Sequence, residues 1–231
     1  MKTIGILGGV GPKTTSHIYH SIINYFRESG EKKYPPILIY NLPFPFIIEN
    51  EAIIEGKNAQ KMLPYLIDGA KILEKGGADF GILPCNTLHK YIQEIRESVK
   101  IPFLSIIDET LKYVKSKKIK SIGILATETT VKDKLYDNIL NKNGISVLYP
   151  NRREQNNINK IIIELLKGEK NKLQEKEVKE FFSSLQKRGS EAILLACTDL
   201  QIIASNIQAP VLLINSTEIL INASLCLLNK K

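Results

Sequence analysis

Residues 121–127 read SIGILAT, and residues 3–9 read TIGILGG. Each is a short aliphatic run ending where a turn can form, the pattern of a buried strand. The N-terminal one opens an alternation of strand-like and helix-like segments: TIGILGG, TTSHIYHSIINYFRES, PILIYN, QKMLPYLIDGAKILEKGG, DFGILPC, LHKYIQEIRESV and PFLSII. Such alternation is the signature of βαβ units around a parallel sheet. At Ser121 the series starts again.

Two further landmarks recur in the same order. GADFGILPCNTLHKY (77–91) has its counterpart in GSEAILLACTDL (189–200), each cysteine standing eight residues after a glycine that closes a helical run (Gly77, Gly189). IPFLSI from Ile101 is then matched by APVLLI from Ala209. The sequence therefore predicts an α/β protein of two pseudo-symmetric αβα domains, each with a central, mostly parallel sheet. The first half spans 1–107 and the second 108–215, with a C-terminal helix over 216–231 packing back on the first half. Ligands of open parallel sheets gather beyond the carboxyl ends of the strands. The cleft between the halves is thus the expected site.

Composition narrows the function. The 231 residues are 43% hydrophobic and 24% charged, which is enough apolar material for a large core. A net charge of +8 invites nucleic acid, yet the lysines of EKK, KSKKIK and KGEKNKLQEKEVKE sit among acids on helix-like faces, and no basic platform with interleaved aromatics is present. We expect no nucleic-acid partner. The apolar run of MKTIGILGGVG is too short and too glycine-rich for a signal or spanning segment, so no membrane association and a cytoplasmic location are expected. The three cysteines, Cys85, Cys197 and Cys226, make neither a disulfide framework nor the paired spacing of a zinc site. Cys226, in ILINASLCLLNKK, reads as a small buried hydrophobe.

Cys85 and Cys197 read differently, because each follows a strand and precedes a helix. A thiol at a helix N-terminus feels the positive end of the dipole, which favours thiolate near neutral pH. Two such thiols facing each other form an acid–base pair that takes the α-proton of an amino acid from one face and returns a proton to the other, inverting the centre. Asn86, Thr87 and Thr198, beside these thiols, are placed to hold a substrate carboxylate and the charge that develops on it. The scheme requires no cofactor and no metal.

The glycine-rich GGVGPKTT lacks the glycine before Lys13 of a phosphate loop, and Thr14 stands where a dinucleotide fingerprint needs a third glycine. It is read as a tight turn whose N–H groups face the cleft. His17 and His20 are read as ordinary helix positions, and His89 as a residue close enough to Cys85 to tune it.

At these residues the chain resembles the aspartate/glutamate racemase family, in its aspartate racemase branch. MKTIGILGGVGP, PCNTLH around Cys85, IPFLSIIDET and ACTDL around Cys197 carry the likeness, which covers nearly the whole chain. The resemblance implies a cofactor-independent racemase, usually dimeric, with Cys85 and Cys197 as catalytic acid and base. It implies that Asn86 and Thr87 bind the carboxylate of a small amino-acid substrate and that Val10 stands at a substrate-contacting position. Lys167, in IIIELLKGE, would pair with the distal carboxylate of an acidic substrate. Aspartate is then the first substrate to try, with glutamate or a neutral amino acid next. One departure bears on this choice: Ile48, in YNLPFPFIIENE, stands where aspartate-specific relatives carry an arginine, and Phe44, Phe46 and Ile48 suggest a partly apolar pocket wall. Paired cysteines also occur in maleate isomerases and arylmalonate decarboxylases, and a non-catalytic amino-acid-binding protein is the alternative outside enzymes.

Overall fold

The computed structural model describes residues 1–54, 56–204 and 207–229, with only the backbone of Ile53, Ile54 and Ile202. Two four-stranded sheets are formed. In the first the order is β2 (Ile37–Asn41), β1 (Ile4–Gly8), β3 (Phe80–Ile82), β4 (Phe103–Leu104). In the second it is β6 (Ser146–Leu148), β5 (Ser121–Ala126), β7 (Ala192–Ala196), β8 (Leu212–Asn215). Every pairing is parallel, and the two orders are the same once the strands of each half are counted from its start. The TIGILGG and SIGILAT runs are the equivalent strands β1 and β5.

The helices are α1 (Pro12–Glu28), α2 (Phe46–Glu49), α3 (Leu63–Lys75), α4 (Ile92–Ser98), α5 (Ile106–Ser116), α6 (Glu128–Lys132), α7 (Asp137–Lys142), α8 (Arg152–Leu166), α9 (Lys172–Lys187), α10 (Thr198–Ala204) and α11 (Ser216–Leu228). Their limits follow local chemistry. Pro12 at the first position of α1 supplies a preset φ and lacks the N–H that would go unpaired there. Asn151 and Asn171 start α8 and α9 with reciprocal caps, each accepting from the backbone N–H three residues on while Glu154 and Gln174 reach back. Gly77 and Gly189, the paired glycines of the repeat, take left-handed φ values of +91° and +97°, which end the preceding helices cheaply only in glycine.

Strand alternation divides the core. Ile4 and Ile6 of β1, with Ile122, Ile124 and Ala126 of β5 and Leu194 of β7, point into one cluster between the sheets, completed by Ile106 and Val114 of α5 and Leu220 and Leu225 of α11. The intervening residues point outward: Leu7 to a cluster with α3 and α4, and Leu125, Ile193 and Leu195 to one with α8 and α9. Burial on both faces is what a parallel sheet covered by crossover helices requires. α11 lies against α5, α1, β4 and β7, so it touches both halves. Its inward face is Leu220, Ile221, Ser224, Leu225 and Leu228, and this spacing turns Cys226 outward. The expectation of a buried Cys226 is therefore corrected: helical phase, rather than the hydropathy of the segment, decides its exposure.

Candidate active site

Cys85 lies just past the carboxyl end of β3, and Cys197 directly follows β7, the equivalent strand of the second half. The chain turns into a helical segment after each, the 3-10 turn Thr87–Tyr91 and α10. The local geometry repeats: backbone N–H groups of Thr87 and Leu88 face the Cys85 thiol, and those of Asp199 and Leu200 face the Cys197 thiol. Both thiols thus occupy the same place relative to a helical N-terminus, two and three residues ahead of their donors. They are 8% and 6% exposed.

The two sites share one electrostatic environment. Asp199, from the second half, disfavours ionisation of Cys85 as well as Cys197, and Cys85 itself does so for Cys197. Glu49, at the end of α2 in the first half, acts on Cys85 and is in turn acted on by Asp199. Burial pushes the Cys85 thiol up to about 12 and drives Cys197 upward too, and the two carboxylates add to the effect on Cys85. The expectation of a lowered thiol pKa from the helix termini is corrected here: the N–H groups are in place, but loss of water around a closed thiol outweighs them. Both cysteines are held as neutral thiols by this environment.

Asn86 and Thr87 tie this part of the first half to the second. Tyr136 donates from its hydroxyl to Asn86 Oδ1 at 2.5 Å, and Asn86 Nδ2 donates to Ser216 Oγ at 3.1 Å, which in turn donates to the Leu195 carbonyl of β7 at 2.9 Å. Thr87 shares hydroxyl hydrogen bonds with Thr127 at 3.0 Å and Thr130 at 3.3 Å. His89 is a brace. Its Nε2 accepts from the Ile106 N–H, which leaves Nδ1 to donate to the Cys85 carbonyl at 2.6 Å. It therefore grips the backbone of Cys85 rather than its thiol, and burial lowers its pKa to about 4, keeping the ring neutral.

The other predicted residues are spread around this centre. Val10 is buried in the same apolar cluster as Cys85, with Ile48 packed against it. Thr198 starts α10, and a side-chain carbon placed on Gly11 would lie 3.7 Å from its hydroxyl, so the glycine-rich turn meets the second half there. The Gly11 N–H favours the charged form of Glu49, against the burial and the Asp199 charge that raise its pKa. Lys167 caps the end of α8 and is exposed; a side-chain carbon placed on the neighbouring Gly168 would lie 3.9 Å from Lys13 Nζ. Phe44 packs edge-on against Tyr65, whereas Phe46 is 83% exposed. The anticipated apolar wall is thus corrected by the loss of Phe46, because α2 is a single turn and its first residue points to solvent; Phe44 and Ile48 pack against the cluster of Val10 and Cys85.

A pocket of about 270 Å³ is lined by Lys13, Thr14, Thr198, Gln201, Asn215 and Glu218, with His17 paired to Glu218 at 2.8 Å; of its lining only Thr198 adjoins a cysteine in the chain. Across the cleft Thr129 Oγ1 donates to the Ala52 carbonyl at 3.4 Å, so the segment after α2 bridges to α6. Among the described residues no three His, Cys, Asp or Glu side chains gather as a metal site, and no helix is long and apolar enough to cross a membrane. Sequence reasoning missed Glu49, Asp199, Lys13, Tyr136 and Ser216. Asp199 alone had an accessible signal, its place two residues after Cys197.

Comparison with known proteins decides the family. The Asp/Glu/hydantoin racemase model matches residues 7–224. The chain belongs to that family. It is similar to RacX of Bacillus subtilis, a broad specificity amino-acid racemase, with 32% identity over 220 residues that cover 93% of this chain and 92% of that one. Among solved structures, an aspartate racemase homologue from Pyrococcus horikoshii superimposes with a TM-score of 0.81 at 30% identity, covering both chains fully. The Picrophilus torridus aspartate racemase gives 0.78 at 25% identity, covering all of this chain and 96% of the other. As a member of the family the protein is an amino-acid racemase, and its two parallel sheets with flanking helices are those of its structural neighbours.

Proposed function

We propose that this racemase inverts the α-carbon by a two-base mechanism in which Cys85 and Cys197 attend opposite faces of the substrate. The observation that carries the reading is the paired placement of the thiols, at equivalent strand ends of the two halves, each facing two backbone N–H groups and both sensing Asp199. One cysteine, as thiolate, removes the α-proton; the other, as thiol, delivers its proton to the opposite face, and the roles are exchanged in the reverse direction. The negative charge that builds on the substrate carboxylate in between is received by the polar groups around Asn86, Thr87 and Thr198. Val10 supplies an apolar contact beside Cys85.

The raised thiol pKa values fit this scheme if the thiolate forms only with substrate bound. A substrate α-ammonium offsets the carboxylates that oppose ionisation, and the cleft N–H groups then face an anion worth stabilising. Aspartate, the first substrate implied by the resemblance, meets an unfavourable arrangement: Ile48 cannot pair with its distal carboxylate, and Glu49 repels it.

The test is a chiral chromatographic screen of the common amino acids with the native enzyme and with Cys85→Ala and Cys197→Ala. Inversion of at least one amino acid, lost in both variants, is expected. Native-like inversion by either variant overturns the two-base reading, and a covalent substrate–cysteine adduct in mass spectra would favour nucleophilic isomerase chemistry in its place.

A further inference from the structure

We propose that the site selects amino acids with a cationic side chain, and that Glu49 is the residue that sets this selection. The inference rests on the racemase reading and deepens it. Two carboxylates reach the thiol centre. Asp199 is 7% exposed and, among the described residues, its side chain makes no hydrogen bond with another side chain, so a nearly buried carboxylate near enough to act on both cysteines has acceptor capacity to spare. Its charge is partly balanced by Lys13. Glu49 has no such balance. The Gly11 N–H favours its charged form, but among the described residues it forms no salt bridge and no cation acts on it.

The two acids are placed for different parts of a ligand. Asp199 follows Cys197 and influences both thiols, so it lies toward the reacting carbon, where an α-ammonium is bound. Glu49 comes from the opposite half, one residue beyond Ile48, which packs in the cluster of Val10 and Cys85. It is held there by the Gly11 turn on one side and by the bridging segment, whose Ala52 carbonyl accepts from Thr129, on the other. Every α-amino acid brings one ammonium and one carboxylate to the centre, and Asp199 suffices for the ammonium. The second carboxylate then remains uncompensated when a neutral side chain is bound, is opposed by an acidic one, and is neutralised by a lysine-like one. A half-buried carboxylate is costly to leave in that state, so the balance of charge favours the cation.

The experiment compares kcat/KM for L-lysine, L-alanine and L-aspartate in the native enzyme and in Glu49→Gln, by chiral chromatography. The proposal expects lysine to exceed aspartate by about tenfold or more, and the lysine-to-alanine ratio to fall by about tenfold or more in the variant, as a charge-assisted contact is removed. Equal or better use of aspartate overturns the proposal while leaving racemisation intact. So does an unchanged lysine-to-alanine ratio in Glu49→Gln. If no amino acid is inverted, the racemase reading falls, and calorimetric titration with L-lysine decides the selectivity on its own. Binding that weakens about tenfold or more in Glu49→Gln upholds it; equal binding in the two proteins, or none to either, overturns it.

Discussion

Of the three cysteines, only Cys226 presents its sulfur to solvent, while Cys85 and Cys197 are closed in and held as thiols. Thiolate is the species that attacks disulfide reagents. In the native protein at pH 8, Ellman's reagent is therefore expected to titrate one thiol rapidly and the other two slowly, with all three fast after denaturation; three fast thiols in the native state would contradict the closed site. His89 allows a second prediction at this scale. It titrates near 6.5 when unfolded and near 4 in the fold, so the unfolded chain takes up the proton first as pH falls. The stabilisation from the neutral ring is complete above pH 6.5 and is lost as pH drops to 4, on the order of 3 kcal/mol in all. The stability gap between the native protein and His89→Asn, measured by urea unfolding, should accordingly narrow from pH 6.5 to 4; a gap independent of pH would show that His89 is not held neutral. The cysteines themselves were legible in the sequence because strand, thiol and helix are contiguous. The partners of Asn86 were not: Tyr136 and Ser216 are 50 and 130 residues away and meet it only when the halves close.

At the scale of elements, β3 must sit close to its neighbour to deliver Cys85. Gly81 makes room for Phe103 of β4: a side-chain carbon at Gly81 would lie 2.3 Å from the ring's Cζ and 2.5 Å from both Cε atoms. Gly81→Ala should cost about 1–3 kcal/mol by overpacking, read as a lower urea midpoint. Phe103→Leu should then cost less in the Gly81→Ala background than alone; strictly additive effects would mean that the two positions do not clash. Periodicity revealed most of these elements, including both central strands and the long helices α1, α8 and α9. It merged the 3-10 turn Thr87–Tyr91 with α4, and the 3-10 turn Ala59–Met62 with α3, since a turn of either kind presents a similar apolar spacing over four or five residues. It could not resolve residues 43–54, where a one-turn helix and a π turn replace any long pattern. Glu49 is found there, and this is why no periodic signal pointed to it.

In the whole molecule, two copies of one strand order share a core, and α11 is packed against both, so the halves are fixed rather than loosely hinged through that face. Near the thiols the halves are further bridged by polar contacts from Asn86, which reaches Ser216 at the start of α11, and from Thr87 and Ala52. Duplication suits the proposed chemistry: inversion by two bases needs one proton donor and one acceptor in mirror-related roles, and a repeated half supplies the same thiol twice. The decisive measurement is α-proton exchange in deuterated water, followed by NMR, for both enantiomers of an amino acid that the native enzyme inverts. Cys85→Ser should exchange one enantiomer without inverting it, and Cys197→Ser only the other. Exchange of the same enantiomer by both variants, or inversion at the native rate by either, would contradict opposed cysteine bases.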